Sequence, residues 1–280
     1  MDRRKRRGDG SGYTLVLGFI VLGILAVIVG YGFGNYMIRA VMGDVADTEP
    51  SEDSSTEPAA GGTAQVEEVM VNLPVLTLYR VQVGAFSSVE NAQNLALELR
   101  NRSLPAHVVG GDLHRVEAGL YATKEVAVEV AADLESRGYP VYVGKWELNS
   151  PPVVLGAGDP YYNLAQKAFA ALTALMMEQG MAWDAYAKQK DGQVLVEGLE
   201  RVEEDIRAVH KDLQEATPPA GWQDLHVRLL DMLSLAITNI YEVKAFANSG
   251  DASTYAQAMS YFMQLTDEYR LLYNELAGRT

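Results

Sequence analysis

Residues 81–109 and 116–143 repeat one another at a constant offset of 35 positions, and two copies of one short segment are expected to fold alike. The identities in register are Val81/Val116, Gly84/Gly119, Glu90/Glu125, Ala92/Ala127, Ala96/Ala131, Leu99/Leu134, Arg102/Arg137, Pro105/Pro140 and Val108/Val143. Each copy reads strand, turn, helix, strand. In the first, Tyr79, Val81 and Val83 alternate with Arg80, Gln82 and Gly84, the period of a strand buried on one face. Ser87 or Ser88 then caps a helix with Glu90 in its first turn and Ala92, Leu95, Ala96 and Leu99 as its stripe. In the second copy Thr123 is the cap candidate, Ala127, Val130, Ala131 and Leu134 form the stripe, and Gly138 ends the helix. Two such copies bury their helical stripes together if four strands make one sheet with both helices on the same side, which leaves the opposite face free.

The segments YRVQVGAF (79–86), ENA (90–92), RVEAGLYATKEVA (115–127) and ESRGYPVYV (135–143) resemble the SPOR domain, the sporulation-related repeat. The resemblance spans residues 76–148. It implies a βαββαβ fold similar to an RNA-recognition module, and binding to peptidoglycan, preferably to glycan strands stripped of stem peptides at division or sporulation septa. Ala85 stands where the family often has Ser, and Leu113 where it often has an aromatic residue.

Strand alternation sends Arg80, Gln82, His107, Arg115, Glu117, Tyr142 and Trp146 to the free face. A murein strand offers hydroxyl and acetamido groups, apolar ring faces and a lactyl carboxylate. Arg meets a carboxylate with two parallel hydrogen bonds, and Gln donates and accepts together. Tyr and Trp give flat apolar area with a polar edge. The resemblance places glycan contacts on the first-strand glutamine and third-strand arginine, which match Gln82 and Arg115. Arg80, Tyr142, Glu117, Ser87 and Trp146 complete the candidate glycan-binding set, with His107 read as a bystander.

Upstream, Tyr13 to Ile38 contains no charged residue and is long enough to cross a hydrocarbon core of about 30 Å as a helix. Five basic residues, Arg3 to Arg7, precede it, whereas residues 43–75 hold eight acidic residues and no basic one. The positive-inside rule therefore puts a basic tail (1–12) in the cytoplasm, a membrane span over 13–38, and everything later outside the bacterial cell membrane. The run is longer than a signal-peptide core, and Ile38-Arg39-Ala40 is a poor cleavage site. Residues 39–75, rich in Glu, Asp, Ser, Thr, Pro and Gly, read as a disordered acidic linker.

Pro151-Pro152 and Gly156-Ala-Gly158 mark a second linker, 149–158. Beyond it, helices are predicted from Asp159-Pro160 to about Lys190 with a break near Gly180, then over 193–216, 222–248 and 252–277. These compose an all-α four-helix bundle domain over 159–279, so the fold class is α+β: one transmembrane helix, a βαββαβ domain and a bundle. Consecutive Glu203, Glu204 and Asp205 spread around a helix, and His210 and His226 lack metal-ligand spacing. No nucleophile, phosphate-loop or zinc-hydrolase motif is present, and with no cysteine among 280 residues thiolate chemistry is excluded. No cofactor or metal is expected. The net charge of −14, with a positive field only in the first twelve residues, argues against a nucleic-acid partner. The expected function is a non-enzymatic, single-pass envelope protein that binds peptidoglycan in division or sporulation and engages a protein partner through its helices. The alternative is a peptidoglycan hydrolase, or an activator of one, targeted by the repeat.

Overall fold

The computed structural model describes residues 68–71, 75–149 and 152–277. The predicted tail and span, and the linker up to residue 67, lie outside these residues; no helix among the described residues is long and apolar enough to cross a membrane.

The repeat folds as read. Strand β2 (Leu76–Phe86) leads into α1 (Val89–Asn101) and β3 (His107–Val109), and β4 (His114–Tyr121) into α2 (Lys124–Ser136) and β5 (Tyr142–Leu148). All pairings are antiparallel, in the order β3-β4-β2-β5. Of the two cap candidates Ser88 is the one used, accepting a hydrogen bond from the Asn91 amide. The stripes Ala92, Ala96, Leu99 and Ala127, Ala131, Leu134 are buried, with Val81, Val83 and Val116 of the sheet. Gly138, at φ +91°, stops α2 where a side chain would be strained.

Two short strands correct the linker boundaries. Residues Glu68–Val71 form β1, at the end of the segment read as disordered, and pair antiparallel with β6 (Val153–Ala157), inside the segment read as the second linker. In β6, Val153 and Leu155 are buried and Val154 is exposed, a period-two pattern too short to stand out beside the Pro-Pro and Gly-Ala-Gly signals.

The helices are α3 (Pro160–Gln189), α4 (Val194–Glu197), α5 (Leu199–Glu215), α6 (Gln223–Ser249) and α7 (Ala252–Ala277). Asp159 caps α3 by accepting from the Tyr161 amide at 2.9 Å. The stripe Leu225, Leu229, Met232, Ala236, Ile240 and Val243 is buried as its spacing predicts. The predicted 193–216 helix is instead two, divided at Gly198. The break expected at Gly180 is absent: α3 runs through it. At Gly180 the helix lies close against the sheet: a Cβ there would sit 2.8 Å from Leu78 Cδ2 and 3.5 Å from Ala122 Cβ. Absence of a side chain permits that approach, which offsets the roughly 1 kcal/mol that glycine costs inside a helix.

The largest correction concerns the free face. Sheet and helices fall in one structural unit, and their buried apolar side chains join in one core. On the face away from α1 and α2, Leu76 pairs with Leu148 and Leu78 with Trp146, and all four are buried together with Leu120, the partner of Arg80. A register shift after Val81 brings Gln82 opposite Glu117, so Leu120 and Glu117 both reach this face. Half of the face is thus apolar, and α3 and α7 cover it.

Gly180→Leu is expected to lower the stability of the unit by about 1–3 kcal/mol through overpacking against Leu78. The exposed neighbour change Met181→Leu should stay within about 0.5 kcal/mol of the parent. Thermal denaturation followed by circular dichroism distinguishes them; equal midpoints would mean that α3 does not rest on the sheet.

Candidate functional site

The polar half of the second face is ordered by strand register. Tyr142 of β5 stands opposite Gln82 of β2, Gln82 opposite Glu117 of β4, and Glu117 opposite His107 of β3. Directly paired residues point to the same side, so these four form one row across all four strands. Tyr142 is 60 % exposed and Gln82 half-buried. Glu117 is buried, its carboxylate 3.7 Å from the Arg80 guanidinium. At the far end His107 Nε2 lies 3.5 Å from Asp267 Oδ2 of α7, and the Ala106 amide donates to Ser260 Oγ of the same helix at 3.0 Å.

The sequence-predicted candidates therefore separate. Gln82 and Tyr142 keep access to solvent, and Ser87 is exposed in the turn after β2. Arg115 is half-buried beside the row, aligned with Val109. Arg80 retains partial exposure. Trp146 and Glu117, placed on an open face by strand alternation, are buried under the helices instead, because that face carries the leucines on which the helices pack. His107, read as a bystander, is an anchor for α7.

Where β4 and β5 meet α7 a cleft of about 210 Å³ remains, with Arg80, Arg115, Glu117, Trp146, Asp267 and Arg270 among its lining. Arg270 donates to Asp267 at 2.6 Å. Arg80 Nε and Arg115 Nε are buried with no hydrogen-bond partner, and among the described residues no carboxylate lies within ion-pair distance of Arg115. Two of the three carboxylates that line the cleft are displaced in opposite directions. Burial pushes Glu117 above its ordinary value, against the pull of Arg80, His107 and Arg115. Burial acts on Asp267 likewise, but its contacts with His107 and Arg270 outweigh it and hold that carboxyl below the usual range. A larger groove of about 440 Å³ lies along α7 at the His107 end of the row, lined by Arg100, Ala106, His107, Gln257, Ser260 and Tyr261 among others, with neither Gln82 nor Arg115 in its lining.

Sequence reasoning missed Ser260, Asp267 and Arg270. The available signal is the double stripe of α7: Ala258, Phe262, Leu265, Tyr269 and Leu272 on one side, Ala256, Met259, Met263 and Thr266 on the other, all buried. A helix apolar on two sides is sandwiched between two neighbours. Tyr269 and Tyr273 are core residues. His210 and His226 bond to the hydroxyls of Ser234 and Tyr161, each at 3.1 Å, and among the described residues no group of three His, Asp or Glu could hold a metal ion.

Residues 76–144 match the family model of the SPOR domain. Among solved structures, the chain is similar to the peptidoglycan-binding domain of the B. subtilis cell wall lytic enzyme CwlC. The identity is 29 %, the match covers 27 % of this chain and 96 % of that one, and the TM-score is 0.24. No curated protein matches the sequence.

Because the Asp267 carboxyl is depressed in the folded state, the stability it contributes is complete above its unfolded value near pH 4 and is lost as pH falls below it. Asp267→Asn should cost about 1–3 kcal/mol at pH 7, and the difference from the parent should shrink as pH falls to 3. Denaturant unfolding at the two pH values measures this; a constant difference would remove the ionised Asp267 from the account.

Proposed function

We propose that the SPOR domain of this chain binds peptidoglycan glycan strands, probed first as strands stripped of stem peptides, through the exposed part of the Tyr142–Gln82–Glu117 row and Arg115. The observation that carries this reading is the SPOR match over 76–144, which contains that row and Arg115, a half-buried arginine of the cleft with no carboxylate partner among the described residues. The chemistry is suitable. Gln82 offers donor and acceptor to acetamido and hydroxyl groups, the exposed Tyr142 ring a flat surface for a sugar, and Arg115 a guanidinium for a lactyl carboxylate.

In this reading the apolar run at 13–38 anchors the chain in the bacterial membrane with the sheet and helices outside, and the protein acts at division or sporulation sites. The role is adhesion, not hydrolysis: the domain is a binding module, and no catalytic constellation was legible in the remainder. The helices pack on the sheet and retain an outer surface for a protein partner.

The full chain in mild detergent is expected to sediment with purified sacculi, more strongly after amidase removes the stem peptides, and to leave their turbidity unchanged. Gln82→Ala and Arg115→Ala should each weaken retention about tenfold, the value of one lost charge-assisted or well-placed hydrogen bond. Absence of retention on both kinds of sacculi would defeat the proposal, and clearing of the sacculi would replace adhesion with hydrolysis.

A further inference from the structure

The row of polar residues faces solvent at its Tyr142 end, whereas α7 stands across it at the His107 end, with the 440 Å³ groove on the far side of that contact. Adjacent strands lie about 4.8 Å apart, so Tyr142 to His107 spans roughly 14 Å across the sheet. The Tyr142 end is on edge strand β5 and faces solvent, whereas the His107 end is closed by Asp267 and Ser260 of α7. A polymer lying along the row enters over Tyr142 and Gln82 and meets the helix before it reaches β3.

The helix is a wall and not a movable lid. Lifting it would expose apolar surface of Leu120 and Met263, and break the Tyr121–Tyr255 hydroxyl contact. Each fully buried leucine or methionine is worth about 1.5–3 kcal/mol, which makes spontaneous opening rare. The cleft at the foot of the wall, about 210 Å³, is below the range of roughly 300–1,000 Å³ typical of drug-sized ligands and suits a single sugar ring. Its donors come from two parts of the chain: Arg80 and Arg115 from the sheet, each with an unpartnered buried Nε, and Arg270 from α7. A buried donor without a partner is costly, and a ligand oxygen in the cleft would satisfy it.

Resting on the peptidoglycan reading above, we infer that this site recognises the end of a glycan strand and not its interior. The terminal amino sugar, carrying a carboxylate, occupies the cleft between Arg115 and Arg270, and the following rings run outward over Gln82 and Tyr142. Arg270, outside the segment that matches the family, is then a specificity-determining residue supplied by the helical part.

The test counts protein molecules per strand. The full chain in mild detergent is titrated, by calorimetry, with denuded strands of short and long defined length. The number bound per strand should not change with length, and free N-acetylmuramic acid should compete. Arg270→Gln should weaken binding about tenfold, and Arg270→Lys, which keeps the charge and loses the fork, should recover part of that loss. Thermal unfolding of both variants checks that the fold persists. Stoichiometry that rises with strand length overturns the inference, as does unchanged affinity in Arg270→Gln; in either case retention on sacculi leaves peptidoglycan binding standing. Failure of the parent chain to bind sacculi at all defeats both.

Discussion

The apolar half of one sheet face governs what the remainder of the molecule can do. Leu76, Leu78, Leu120, Trp146 and Leu148 are buried on the side where a two-layer βαββαβ domain would meet water. A sheet with such a patch cannot remain open, since an exposed cluster of large apolar side chains costs several kcal/mol. The chain covers it with α3 and α7, and Gly180 lets the backbone of α3 come down onto Leu78. The result is a three-layer arrangement of helices, sheet and helices, in which the polar side chains of the same face are confined to a margin.

That margin concentrates charge in a small volume. Arg80, Arg115, Arg270 and Lys145 stand against Glu117, Glu147 and Asp267 around one cleft. Arg80 is near Glu117, Arg270 bonds Asp267, and Lys145 bonds Glu147 at 2.6 Å, which leaves Arg115, among the described residues, as the cation of the cleft without a carboxylate. The opposite displacements of the buried Glu117 and the half-buried Asp267 follow from position. Glu117 lies on the sheet floor with one loosely placed guanidinium, and Asp267 is contacted directly by His107 and Arg270. Buried donors left without protein partners on a face of this kind are the feature that a ligand oxygen would complete.

Much of this was legible in the sequence because the repeat carries local signals that agree with one another. Alternation at Tyr79–Val83, the Ser88 cap, the alanine-leucine stripes and Gly138 each specify the same strand-helix-strand unit, whereas the choice of Gln82 and Arg115 from the residues on its second face came from the family resemblance. What was not legible depends on contacts between distant segments. Leu78 and Trp146 alternate correctly for the second face, but only the register that pairs them shows a continuous apolar patch. The shift after Val81 that puts Glu117 and Leu120 on one side leaves no residue signature. Gly180 reads as a helix breaker from propensity alone, whereas tertiary packing makes it a contact point. Asp267 and Arg270 gain meaning only when α7 is placed against β3 and β4.

Sheet and helices form one permanently closed face, and two backbone amides report on it directly. The Ala106 amide donates to Ser260 Oγ and the Ala122 amide to Asp184 Oδ1, both at 3.0 Å across the contact. Native-state hydrogen exchange should show both amides opening only with global unfolding, at the same free energy as the β2–β4 ladder. Rapid exchange at Ala106 and Ala122 while that ladder stays protected would show that the helices leave the sheet, and would contradict the account.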